Sequence, residues 1–174
     1  MYLNARLRIL LLSLAFYAVL AFPINYAHEA GHHWVCVAGA HESHIWLSVE
    51  GGHQTCSGNP ENIMLYYASG GMMGLGVALA LTVTSLRLSP RFGAGLIPAA
   101  LLLTGLTYSV DNFAKIFLEV FLTGIYHSSL GGVLMAPFQI GILFAIWLNL
   151  HTIGSVTISM SYFSNRTAKY NPAG

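Results

Sequence analysis

Residues 9–38 read ILLLSLAFYAVLAFPINYAHEAGHHWVCVA, and the reading of this stretch decides the fold. From Ile9 to Ala27 no side chain is charged, and after His33 the apolar pattern resumes through Trp34, Val35, Cys36, Val37 and Ala38. A helix that crosses a bilayer needs about 20 such residues, so the run predicts a tilted or protruding membrane helix. Pro23 removes one backbone donor inside it and is expected to kink it. Gly39 suits its end, because glycine tolerates the left-handed cap. Arg6 and Arg8 ahead of the run have a signal-peptide flavour, but the run outlasts an ordinary signal core and is read as a retained helix.

The motif inside that helix is His28-Glu29-Ala30-Gly31-His32. Histidines four apart lie on one helical face and can grip one metal ion. Glu29 stands beside them, where a carboxylate can take a proton from a metal-activated water. An ionisable residue at bilayer depth costs at least about 2.5 kcal/mol, so three such groups together call for a reason. The structural alternative is a hydrogen-bonded polar cluster between helices. A catalytic zinc takes three protein ligands and keeps one open position. Asp111, the one aspartate in the chain and placed at the end of an apolar span, is the candidate third ligand to His28 and His32. Its alternative is an interfacial cap for a helix that starts at Asn112.

Working outward, residues 40–62 are the one long polar stretch. His41 to Glu50 partly alternates, Gly51-Gly52 allows a reversal, and the whole predicts a β-hairpin or loop leading to a helix start near Asn62. Further apolar segments are expected at 63–86, 92–110 and 133–163, with Asn112 to Tyr126 either interfacial or continuing the third span, and a short tail at 165–174. The expected fold is thus an all-α integral membrane protein in one domain, 1–174, with about four transmembrane helices and a small β-hairpin insert after the first. Arg6 and Arg8, Arg87 and Arg91, Arg166 and Lys169 then all fall on one side, expected to be cytoplasmic, with the hairpin opposite.

Composition agrees. Charged residues are 7% of the 174 and hydrophobic ones 55%, against roughly 25% charged in a soluble domain. A net charge of +1 with no basic run gives no nucleic-acid footprint. Cys36 and Cys56 could pair in an oxidising compartment, though two cysteines in a membrane protein are more often free. His41, His44, His53 and Cys56 could form a second metal site, but their spacing is not a standard finger spacing, and a histidine-rich loop is the preferred reading. His33 points about 100° away from His32 and is not expected on the same metal. Lone His127 and His151 are read as hydrogen-bonded structural residues. Gly70, Gly71, Gly74 and Gly76 are read as sites of close helix packing, with local unwinding to expose a substrate backbone as the alternative.

The chain resembles the site-2 protease family of intramembrane zinc metalloproteases. The resemblance rests on His28-Glu29-Ala30-Gly31-His32, the hairpin-like stretch ending at Glu50-Gly51-Gly52, the stretch Ala68-Ser69-Gly70-Gly71-Met72-Met73-Gly74, and Asp111, and it covers roughly residues 10–115. Where the family usually has Gly-Pro this chain has Gly70-Gly71, and its aspartate stands in Ser109-Val110-Asp111-Asn112-Phe113 instead of a Leu-Asp-Gly context. The resemblance implies zinc held by His28, His32 and Asp111, Glu29 as catalytic base, and cleavage of transmembrane protein substrates in a lipid setting. A multi-pass protein of a prokaryotic plasma membrane is expected. Two other readings stay open: a non-catalytic, protease-like accessory subunit bound to partner subunits of a larger membrane complex, and a metal-handling membrane protein, suggested by eight histidines.

Overall fold

The computed structural model describes residues 5–48, 51–92, 95–126 and 129–149. In chain order they form α1 (Ala5–Ala38), β1 (Ser43–Ser48), β2 (Gly51–Cys56), α2 (Ile63–Phe92), α3 (Leu96–Phe121), α4 (Thr123–Tyr126) and α5 (Ser129–Leu148). Stretches of α1, α2 and α3 are long and apolar enough to cross a membrane: Arg6–Ala38, Ile63–Leu88 and Leu96–Phe121. The expected fourth segment is α5, whose apolar described part, Val133–Leu148, is shorter, and the rest of 133–163 lies outside the described residues. His127, His151, Arg166, Lys169 and the 165–174 tail also lie outside them.

α1 is one unbroken helix that carries Pro23 inside it. Its end differs in detail from expectation. The residue with left-handed backbone is Ala40, at φ 59°, while Gly39 closes the last turn through its N–H on Val35 and Cys36 carbonyls. β1 and β2 pair antiparallel from Ser43 opposite Cys56 to Ser48 opposite Gly51. Gly51 and Gly52 thus belong to β2 and are paired with Ser48 and Leu47, and Gly51 carries a positive φ of 141°. Cys36 and Cys56 are joined in a disulfide, so the second strand is tied back to the end of α1. The preference for free cysteines is thereby corrected: antiparallel pairing returns Cys56 to the helix end it left from. Asn62 caps α2, its Oδ1 accepting the Leu65 N–H at 2.9 Å.

α3 runs straight through Asp111 to Phe121, so the third span does not end at 110 and Asn112 caps nothing. Its sequence explains the continuity, because Asp111, Lys115 and Glu119 recur every four residues on one buried face. Val110, Phe113, Phe117 and Phe121 point outward. This is a polar interior with an apolar exterior, the arrangement a bilayer imposes on ionisable groups.

Packing follows small residues and hydroxyls. A Cβ on Gly31 would collide with the Ser69 carbonyl of α2, so the backbones of α1 and α2 meet there. Gly71 and Gly74 face Ile116 and Asn112 of α3 with no room for a side chain, whereas Gly76 faces open space. α1 and α3 run parallel. Ser13 Oγ donates to the Ala100 carbonyl at 3.2 Å, Thr104 Oγ1 donates to the Ser13 carbonyl, and Tyr108 donates to the Tyr17 carbonyl at 2.6 Å. The Tyr17 and Tyr108 rings stack 4.3 Å apart.

Candidate metal centre

His28 and His32 stand one turn apart on α1, and their Nε2 atoms approach to 3.3 Å. Both face Glu119 of α3: His28 Nε2 is 2.9 Å from Oε1 and His32 Nε2 is 3.4 Å from Oε2. All three are buried, with one ligand atom of each lying within 4.8 Å of the others, so the group could hold a metal ion.

Several details fit a cation there. His32 Nδ1 lies 2.7 Å from the Tyr66 carbonyl, which can only accept, so Nδ1 carries the proton and the lone pair of a neutral ring sits on Nε2. Glu119 Oε2 is buried without a hydrogen-bond partner among the described residues. Two imidazole nitrogens and a carboxylate are also the donor set of known catalytic zinc sites. Gly70 of α2 makes the room: a Cβ there would stand 2.8 Å from His28 Nε2 and closer still to His32 Nε2. Tyr126 of α4 hydrogen-bonds Glu119; burial first, and then the Glu119 charge, push its phenol above the usual range, which keeps it a donor.

Asp111 is not part of this group. The register between α1 and α3 explains why. The Ser13–Thr104 and Tyr17–Tyr108 contacts each span 91 residues, and so does His28–Glu119. In that register Asp111 lies opposite Leu20, eight residues short of Glu119, or about 12 Å along the helix. Asp111 instead ion-pairs with Lys115 at 3.0 Å and accepts from Gln139 of α5 at 3.0 Å. Its Oδ2 has no hydrogen-bond partner among the described residues, so the Lys115 contact is one of charge rather than of alignment. Glu119 carried a signal in the sequence, a second acid on the Asp111 face, but nothing local ranked it above Asp111.

Glu29 is half-buried beside the histidines, in a cavity of about 910 Å³ that is also lined by His28, His32, Lys115, Glu119 and Trp46. The hairpin closes over it. A Cβ on Gly52 would lie 2.7 Å from Glu29 Cγ and 3.1 Å from the Asn25 carbonyl, so β2 rests directly on this turn of α1. Tyr66 donates to Gln54 of β2, which joins the strand to α2 as well. Lys115 offsets Asp111, which leaves the Glu29 and Glu119 carboxylates on the cavity wall, a pair whose charge a divalent cation would match.

His41 and His53 are used in the fold. His41 Nε2 meets the Asn59 carbonyl at 3.1 Å, and His53 stacks on Trp46 and bonds Ser48 at 3.0 Å. Cys56 is committed to its disulfide, which removes the thiolate that a second site would need. His33 is half-buried and outside the His28–His32–Glu119 group. The chain matches no protein-family profile, no curated protein and no solved structure, so the chemistry of this centre carries the functional argument by itself.

Proposed function

We propose that the chain is an intramembrane zinc metalloprotease of the site-2 protease type that hydrolyses peptide bonds of membrane-embedded substrates, with His28, His32 and Glu119 as the metal ligands. The observation that carries this reading is the convergence of two imidazole nitrogens and one carboxylate, with a second carboxylate, Glu29, in the same cavity. A purely structural metal site is closed by four protein ligands, whereas three ligands facing a cavity leave a position for water and substrate. Zinc, when bound, supplies Lewis acidity that brings a water's pKa close to neutrality.

The chain's own residues do the rest. Glu29 takes the proton of the attacking water and returns it to the leaving nitrogen, so the peptide C–N bond breaks without free charge building up in an apolar setting. The carbonyl of Tyr66 holds the His32 ring in its metal-binding tautomer. A substrate strand adds along the hairpin edge at residues 45–50, of which 49–50 lie outside the described residues, and its backbone is thereby extended and exposed to attack.

The test is Glu29→Gln in purified, metal-replete protein, assayed on a transmembrane peptide in proteoliposomes. Loss of a general base lowers cleavage by about 10²–10⁴-fold. The variant should keep its metal, measured by elemental mass spectrometry. Cleavage at the wild-type rate by Glu29→Gln would overturn the mechanism.

A further inference from the structure

We infer that the metal centre works at the membrane face opposite the arginine-bearing ends, in an oxidising compartment, and that its substrate is the membrane-proximal segment of a chain exposed there. The inference rests on the metal-centre part of the reading above; the orientation it assigns does not depend on peptide-bond hydrolysis.

Two independent features point the same way. The first is redox. Cys36 lies one helical turn beyond His32, and its bond to Cys56 fastens the strand whose Gly52 rests on Glu29. Such a bond persists in oxidising compartments and is rare where thiols are kept reduced. The roof of the cavity is therefore built on the oxidising side. The second feature is charge. Arg6 and Arg8 open α1, and Arg87 and Arg91 close α2, at the end away from the hairpin. Basic residues near helix ends mark the cytoplasmic side. Lys115 is the one exception on the hairpin side of α3, and it is no loop charge: it is buried against Asp111. Between Cys36 and Ile63 the chain has no lysine or arginine at all, while Glu42 and Glu61 are exposed there.

Depth adds the substrate class. From Arg6 to His28 is 22 residues, about 33 Å of helix, which is roughly the whole hydrocarbon thickness of about 30 Å. Glu119 lies 23 residues into α3 and reaches the same level. The centre thus sits at the far boundary of the bilayer, beneath the hairpin, where a peptide bond just outside or just inside the lipid surface can reach it. A bond at the bilayer midplane would lie several turns away.

The experiment uses sealed right-side-out and inside-out membrane vesicles containing the full chain. With Cys36 and Cys56 joined, Glu61→Cys adds one free thiol on the exposed loop after β2. A membrane-impermeant maleimide should label it in right-side-out vesicles and fail to do so in inside-out ones. In native membranes Cys36 and Cys56 should resist alkylation until a reductant is added. EDTA, which does not cross the bilayer, should strip the metal of wild-type protein from right-side-out vesicles alone. Labelling of Glu61→Cys in inside-out vesicles, or free thiols at Cys36 and Cys56, would overturn the assignment. A wild-type protein that carries no metal would overturn the metal-centre reading alone, with the label still deciding the orientation.

Discussion

Asp111 and Glu119 are buried carboxylates on one helix face that meet different partners. Asp111 has Lys115 and Gln139, and Glu119 has two imidazoles. Metal content separates their roles. Glu119→Gln should lose the metal, whereas Asp111→Asn should keep about one ion per chain, as elemental mass spectrometry on detergent-purified protein would read. The reverse pattern would restore Asp111 as the ligand. Asp111 and Lys115 also form a charge pair inside the bundle. Breaking such a pair leaves an unpaired buried charge and costs about 3–5 kcal/mol, while removing both charges together costs far less. Lys115→Met should thus lower the melting temperature in detergent sharply. Adding Asp111→Asn should recover most of the loss. A double variant no more stable than Lys115→Met would show that the lysine acts through something other than this pair.

At the scale of elements, the site is an encounter of α1, α2 and the hairpin as much as of ligands. Gly70 gives the two imidazoles their space, and an added methyl group there has no free volume to occupy. Overpacking of this kind costs about 1–3 kcal/mol, and here the side chains that must move are the ligands. Gly70→Ala should weaken metal binding more than Gly76→Ala, whose Cβ would meet nothing; a competition titration with a fluorescent chelator measures both. The disulfide closes a loop of 20 residues, and its removal in Cys36→Ser/Cys56→Ser should cost about 3 kcal/mol, read from thermal unfolding with and without reductant. Much of this level was legible in the sequence. The uncharged runs gave three of the expected four spans, alternation and glycines gave the hairpin, and spacing by four put His28 and His32 on one face. The disulfide and Glu119 were not legible, for one shared reason. Each depends on which residues of distant elements come level with each other: the strand register returns Cys56 to the end of α1, and contacts of Ser13, Thr104, Tyr17 and Tyr108 that no local pattern announces bring Glu119 level with His28.

For the whole molecule, that register would make a bound metal a cross-link between two parallel helices. α1 supplies two ligands and α3 the third, while α2, antiparallel between them, supplies the Tyr66 carbonyl and the glycine gap. Away from the site, α1 and α3 are joined by hydroxyl-to-carbonyl bonds, by the Tyr17–Tyr108 stack and by the packing of Leu20, Ala21 and Ile24 against Tyr108, and each polar bond inside a membrane bundle contributes only about 0.6 kcal/mol on average. A metal bridging the same two helices would add a further tie to these contacts. Without it, the Glu29 and Glu119 carboxylates line the same cavity with no cation between them. Metal binding should accordingly raise stability by mass action, by about 2.7 kcal/mol at a free metal concentration of about a hundred times Kd. Thermal unfolding of apo-protein in detergent across a zinc titration would show a rising melting temperature. The same titration on Glu119→Gln should be nearly flat, because the ligand on α3 is gone and the histidines of α1 alone bridge nothing. On Asp111→Asn it should keep the full wild-type rise from a lower starting point. A wild-type melting temperature indifferent to zinc would mean that the three side chains meet as a hydrogen-bonded cluster, and the metal-centre reading would fall with it.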